Sequence, residues 1–292
     1  MNPIVFQLFE DTGLATMLEQ ELSLERGKIE IHAFPDEENL IRIESSVNRR
    51  KVVFATSLDH PNPKILPLLF AARTARDLGA QNLTLIAPYL PYMRQDKVFQ
   101  EGEGISSKYF AALLSSHFDH LITIDPHLHR WHSLQDIYTM TTTVLHATKI
   151  IAHWIQGNVQ SPLILGPDGE STQWVSDVAK IAQAPFLVLE KIRTGDLEVK
   201  VSVPDLGSFQ NRTPILVDDI ISSGKTMIQT LEHLKKIGLP SPICIGIHAL
   251  FSKSTYEDLL NAGAQRVITC NTIKHFSNGI KINSLFTSHE IP

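Results

Sequence analysis

Short apolar runs bounded by turn residues alternate with longer segments of helical spacing along most of the chain. "KVVFATSL" is followed by "NPKILPLLFAARTARDLGA", then by "NLTLIAPY", "ISSKYFAALLSSHF" and "HLITID". The short runs predict buried strands and the longer ones predict helices, which together give the βαβ rhythm of a mostly parallel sheet. In the first of these helices Leu66, Leu69, Phe70, Arg73 and Ala75 fall near helical spacing, with the aliphatic members expected to face inward and Gly79 to close the helix.

After a loop expected near Tyr138 to Thr143 the rhythm restarts. The order is helix "VLHATKIIAHWIQ", strand "PLILGPD", helix "STQWVSDVAKIA", strands "FLVLEK" and "LEVKVSV", strand "PILVDDI", helix "TMIQTLEHLKKIG" and strand "ICIGIHALF". The fold class expected is α/β with two similar halves, residues 1–143 and 144–292, the last residues being candidates to pack back on the first half. One segment breaks the pattern: in "KIEIHAFPDEENLIRIE" two alternating strands flank an acidic turn, as in a β-hairpin projecting from the sheet.

The 292 residues suit one large domain or two of about 150 residues each, and 43% hydrophobic content is enough for ordinary globular cores. No apolar run approaches the ~20 residues of a membrane helix, and "MNPIVFQLFEDTG" lacks a basic start and cleavage signal, so no membrane association and a cytoplasmic location are expected. Cys244 and Cys270 lie inside β-branched runs and read as buried core thiols. The balance of 26 basic and 31 acidic residues, with no long basic block, argues against a nucleic-acid-coating surface and leaves room for a charged small molecule, since a local site need not show in the total.

Chemistry concentrates in "TPILVDDIISSGKT". Its end imitates an ATP-binding P-loop, but Asp219 stands where that motif needs its first glycine. Carboxylates at Asp218 and Asp219 would repel a polyphosphate, whereas they suit ribose hydroxyls or a magnesium-coordinated sugar. Ser222, Ser223, Gly224, Lys225 and Thr226 supply successive N–H groups and hydroxyls at a helix start, a cradle for one phosphate. The stretch therefore reads as a ribose 5-phosphate site, against the plainer reading of a strand-to-helix turn with a capping serine. It resembles the phosphoribosyl pyrophosphate (PRPP) signature of type I phosphoribosyltransferases and PRPP synthetases.

Other segments resemble the PRPP synthetases (ribose-phosphate pyrophosphokinases) in particular, and the resemblance runs from about Phe34 to Ile273. "APYLPYMRQDKVFQEGEGISSKYFAALL" places Arg94, Gln95, Asp96 and Lys97 on the family's Arg-Gln-Asp-basic element. "ITIDPHLH" places Asp125 and His127 on its acid and histidine, "GPDGES" places Asp168 on an acid, and "EKIR" places Lys191 and Arg193 on a Lys-x-Arg loop. "FPDEENLIRI" resembles a Phe-x-Asp-Gly-Glu loop, with Phe34, Asp36 and Glu38 on its adenine-nucleotide contacts.

The resemblance implies two tandem type I phosphoribosyltransferase-like domains and transfer of the β,γ-diphosphate of MgATP to the C1 hydroxyl of ribose 5-phosphate. It also implies magnesium as cofactor, with Asp168 and His127 near it, and a homo-oligomer built from dimers. Arg94 to Lys97, His127 and the hairpin residues fall on the ATP side, while Lys191 and Arg193 supply cationic charge during transfer, ahead of a Gly195-Asp196 break. Three positions depart from the family pattern: Glu37 and Glu170 replace glycines, and Ser222 replaces an acid found in many synthetases. A phosphoribosyltransferase that consumes PRPP and a non-catalytic homologue are the alternative readings.

Overall fold

The structure, a computed structural model, describes residues 2–9, 13–167, 171–194, 198–202, 209 and 211–287. They fall into two compact units, one formed by residues 1–145 with 283–292 and the other by residues 146–282.

The first unit runs β1 (Ile4–Gln7), α1 (Leu14–Leu22), β2 (Glu25–Arg26), β3 (Ile29–Ala33), β4 (Asn39–Ile43), β5 (Lys51–Ala55), α2 (Asn62–Asp77), β6 (Asn82–Ile86), α3 (Ser106–Ser115), β7 (His120–Ile124) and β8 (Thr141–Leu145). Its six-stranded sheet has the order β2-β1-β5-β6-β7-β8 with every pairing parallel. Ile4, Phe6, Val52, Phe54, Leu83 and Leu85 are almost fully buried, as strands covered on both faces require. The Phe54 ring links the stacked ring of Phe6 at 5.7 Å with the edge of Phe118 at 6.2 Å.

Two expectations change here. The loop placed near Tyr138 to Thr143 gives way to β8, whose β-branched Thr-Thr-Thr-Val run pairs Thr141 with His120 and Leu145 with Ile124. In α2, Leu69 and Ala75 do face inward, but Leu66 is 53% exposed. The buried stripe is Leu68, Ala71, Ala72 and Ala75, because small side chains let the helix lie close to its neighbours. Gly79 follows the helix with φ 89°, the left-handed end expected of it.

Strands β3 and β4 form their own antiparallel hairpin, with Ile29 opposite Ile43 and Ile31 opposite Ile41. These four isoleucines pack toward the first core, and β4 lies against α2. At the tip, the Glu37 N–H donates to the Phe34 carbonyl at 2.9 Å, and Glu37 itself takes φ 69°. The conformation suited to glycine is thus adopted by the glutamate, held by the Phe34 N–H to the Glu38 carbonyl at 2.8 Å and by Asn39 Nδ2 to the Glu37 carbonyl at 3.0 Å.

The second unit contains α4 (Thr148–Asn158), β9 (Pro162–Gly166), α5 (Thr172–Ala182), β10 (Phe186–Val188), β11 (Glu190–Thr194), β12 (Glu198–Ser202), β13 (Thr213–Ile221), α6 (Lys225–Lys236), β14 (Ile243–Ala249), α7 (Lys253–Asn261), β15 (Arg266–Cys270) and β16 (Asn278–Ile280). Its sheet order is β10-β9-β13-β14-β15-β16, again parallel throughout. Read in chain order, both sheets follow the sequence second, first, third, fourth, fifth, sixth. Cys244 and Cys270 are fully buried, and burial pushes the Cys244 thiol up to about 12.

Candidate active site

A parallel sheet of this order has its switch point between the first and third strands, and ligands bind beyond the carboxyl ends of the strands there. In the second unit those strands are β9 and β13. Strand β13 pairs with β9 only over Thr213 to Leu216, whereas it pairs with β14 as far as Ile221. Asp218 and Asp219 therefore stand on the part of β13 that has outrun β9.

Both carboxylates are tied to their own backbone: Asp218 Oδ1 accepts from the Asp219 N–H at 3.0 Å, and Asp219 Oδ1 from the Ile220 N–H at 2.7 Å. The two residues are half-buried. The strand end is fixed by Ile221, 1% exposed, which fits over Gly246 so closely that a Cβ there would lie 2.7 Å from its Cδ1.

The chain then turns through Ser222 and Ser223 to Gly224, which is buried with φ 69° and serves as the N-cap of α6. A glycine N-cap puts no side-chain oxygen on the first-turn N–H groups of the helix, and those groups together with the positive end of the helix dipole suit an anion. Lys225 and Ser223 are exposed and Ser222 and Thr226 half-buried, so the predicted cradle forms one continuous strand, turn and helix start.

Lys191 and Arg193 lie on β11, which pairs antiparallel with β12, placing Lys191 opposite Val201 and Arg193 opposite Val199. Asp168, Glu170 and the Gly195-Asp196 break lie outside the described residues.

The residues expected on the nucleotide side belong to the first unit. Arg94, Gln95, Asp96 and Lys97 occupy the connection from β6 to α3, and His127 the one from β7 to β8. Gln95 helps to start α3: its carbonyl accepts the Ser107 N–H at 3.2 Å and its Oε1 accepts Ser106 Oγ at 3.1 Å. Arg94 and Lys97 are exposed. Asp96 is buried and bonded to Arg130, so any contact it makes to a ligand passes through that guanidinium.

Asp125 ends β7 with φ 36°, and beyond it the half-buried His127 ring stacks on His129 at 4.1 Å. Phe34, Asp36 and Glu38 are all exposed at the hairpin tip, and their hydrogen bonds and ring contacts stay within the hairpin. Arg130 escaped the sequence reading because its partner is 34 positions away; the only sequence signal was a lone arginine in "PHLHRWH".

At the switch point of the first unit the arrangement is different. Lys64, in the first turn of α2, donates to the Ser57 carbonyl at 3.0 Å and to Asp59 Oδ1 at 2.8 Å. Burial raises the Asp59 carboxyl, but Lys64 and His60 more than offset it and hold the group below its usual range.

Residues 4–117 match the family described as the N-terminal domain of ribose phosphate pyrophosphokinase, and residues 135–284 match the phosphoribosyl transferase domain. The ribose-phosphate pyrophosphokinase of Saccharolobus solfataricus is 33% identical over 266 residues, covering 89% of this chain and 90% of the relative. That of Sulfolobus acidocaldarius is 34% identical over 260 residues, covering 87% and 88%. The crystal structure of phosphoribosylpyrophosphate synthetase from Mycobacterium smegmatis superposes with a TM-score of 0.84 at 22% identity, over 98% of this chain and 97% of that one. The fold is α/β with two phosphoribosyltransferase-type domains. By its two matched domains and by relatives aligned over most of their length, the chain belongs to the ribose-phosphate pyrophosphokinase family.

Proposed function

We propose that the protein transfers the β,γ-diphosphate of MgATP to the C1 hydroxyl of ribose 5-phosphate, giving PRPP and AMP. The observation that carries this reading is the paired carboxylates of Asp218 and Asp219 on the part of β13 that extends beyond its pairing with β9, followed at once by the cradle around Gly224. In it the 5-phosphate takes the N–H groups and hydroxyls from Ser222 to Thr226, and the carboxylates accept from the ribose hydroxyls. That arrangement fixes the orientation of the sugar before transfer.

On the nucleotide side Arg94 and Lys97 meet phosphate charge and Gln95 offers hydrogen bonds. Phe34, Asp36 and Glu38 reach a nucleotide on a neighbouring copy of the chain, in keeping with an exposed hairpin tip whose contacts are all internal and with a dimer-based oligomer. Lys191 and Arg193 meet the charge that grows on the transferred group and on the departing α-phosphate oxygen.

Magnesium fits this donor set. It asks only for one or two protein groups beside substrate phosphates, and this set offers one carboxylate and one imidazole. Asp168 would hold it through oxygen and His127 would bond to its waters or to phosphate. When bound, it supplies charge neutralisation on the phosphate oxygens.

The test is AMP formation by the purified protein. Release of AMP that requires ATP, ribose 5-phosphate and magnesium together is the expected result. AMP release indifferent to ribose 5-phosphate, or ligation of a base to PRPP without ATP, would overturn the reading.

A further inference from the structure

Asp96 and Arg130 meet in an ion pair whose two members are very unequally buried. Arg130 Nη1 lies 3.0 and 3.1 Å from the two carboxylate oxygens. The Asp96 side chain is 2% exposed and that of Arg130 45%. A carboxylate at that depth is out of reach of a bound ligand, whereas the guanidinium is not.

Only one nitrogen of Arg130 serves Asp96. Among the described residues its Nε and Nη2 have no hydrogen-bond partner, which leaves most of the donors of the fork for another acceptor. The same guanidinium stands 6.0 Å from the ring centroid of Phe99, and Lys97 Nζ stands 4.9 Å from it. The Phe99 ring thus lies within cation–π range of two cations, one of them held by the buried acid, on the loops that also carry Arg94 and His127. Glu103 of the same loop is occupied with the N–H groups of Phe99 and Gln100, at 2.8 and 3.1 Å. The chemistry left over is a planar cationic fork, with a second cation on the same ring, which matches a chain of phosphate oxyanions.

We propose that Arg130 binds the phosphate chain of the nucleotide and that Asp96 is the positioning residue that holds Arg130 in place. The inference rests on the reading of residues 94–97 as the nucleotide side of the site.

Calorimetric titration with two probes tests it: the β,γ-methylene analogue of ATP with magnesium, and AMP. The proteins are wild type, Asp96→Asn, Arg130→Gln and the double variant; the double variant removes both charges, so no buried carboxylate is left unpaired. Arg130→Lys, which keeps a cation for Asp96 but not the fork, serves if the glutamine forms fail to fold. Loss of the fork is expected to weaken the ATP analogue on the order of 10- to 100-fold and AMP far less. Asp96→Asn should shift the same ratio by less, and the double variant should be no worse than Arg130→Gln. An unchanged ratio of the two affinities in the folded variants, or an equal loss for both probes, overturns the inference while leaving the proposed function standing. Wild-type protein that binds neither probe and forms no AMP overturns both.

Discussion

The Cγ2 methyl of Thr255 on α7 lies 2.8 Å from the point where a Cβ on Gly224 would be built. The glycine at the head of α6 is therefore fixed twice, by this contact and by its φ of 69°. Gly224→Ala is expected to destabilise the protein by about 2 to 4 kcal/mol, part from the left-handed backbone and part from overpacking. In a Thr255→Ser background, which lacks the methyl, the penalty should fall to about 1 to 2 kcal/mol. Urea unfolding of the four proteins separates the two parts; an equal penalty in both backgrounds would remove Thr255 from the account.

Asp219→Asn should impair use of ribose 5-phosphate more than use of ATP, since a carboxylate on β13 beyond its pairing with β9 faces sugar hydroxyls in the proposed site. Steady-state kinetics with each substrate varied in turn gives the comparison. Equal losses for the two substrates would count against the assignment.

Lys191→Ala should lose turnover, because the charge it is proposed to meet arises during transfer. Loss of one such electrostatic donor costs roughly 10²- to 10³-fold in kcat, with much smaller changes in KM. Arg193→Ala should behave alike, and the double variant should lose less than the product of the single losses if both act on one phosphoryl group. Folded Lys191→Ala with near-normal kcat would take β11 out of the chemistry.

At the hairpin tip Glu37→Gly should stabilise the protein by about 0.5 to 1 kcal/mol. It removes the cost of a left-handed non-glycine residue, of roughly 1 to 2 kcal/mol, and gives part of the gain back as chain entropy in the unfolded state. Thermal unfolding reads the difference, and a lower midpoint for the glycine variant would show that the glutamate side chain has a stabilising role of its own.

The lowered pKa of Asp59 carries a pH signature. A carboxyl depressed in the folded state contributes stability above its unfolded value, about 3.9, and loses it as pH falls through the lower folded value. Asp59→Asn should therefore be less stable than wild type at pH 7, with the gap narrowing as the solution is acidified below about pH 4. Unfolding curves at several pH values check this, and a gap independent of pH would mean that the ion pair with Lys64 is not the source.

Strands buried on both faces were legible because nothing but a central strand explains runs such as "PILVDD" and "ICIGIHA", which are now β13 and β14. The β3–β4 hairpin was legible from its alternation. Strand β8 was not, because three threonines before a Val-Leu pair carry little apolar signal, and only pairing with β7 makes them a strand. The α2 face was misjudged at Leu66 because the helix is seated on Leu68, Leu69 and three alanines, a stripe that leaves Leu66 outside it. On the site, the contiguous Asp218-to-Thr226 stretch could be read directly, since its geometry is local. The pairing of Asp96 with Arg130 could not, because it joins separate loops. The Lys191 and Arg193 positions were legible as a strand, now β11.

The two sheets share one strand order and neither α2 nor α6 carries a side-chain cap, yet only the second switch point leads through paired acids and the Ser222-Ser223 turn to a glycine-headed helix start. At the first, Lys64 closes the loop onto Asp59 and the Ser57 carbonyl, so the cation nearest the head of α2 already has an internal acid to neutralise. The consequence is one of stoichiometry: a chain with two like-built halves should titrate with a single equivalent of ribose 5-phosphate. The repeat in the architecture is then not a repeat in ligand count.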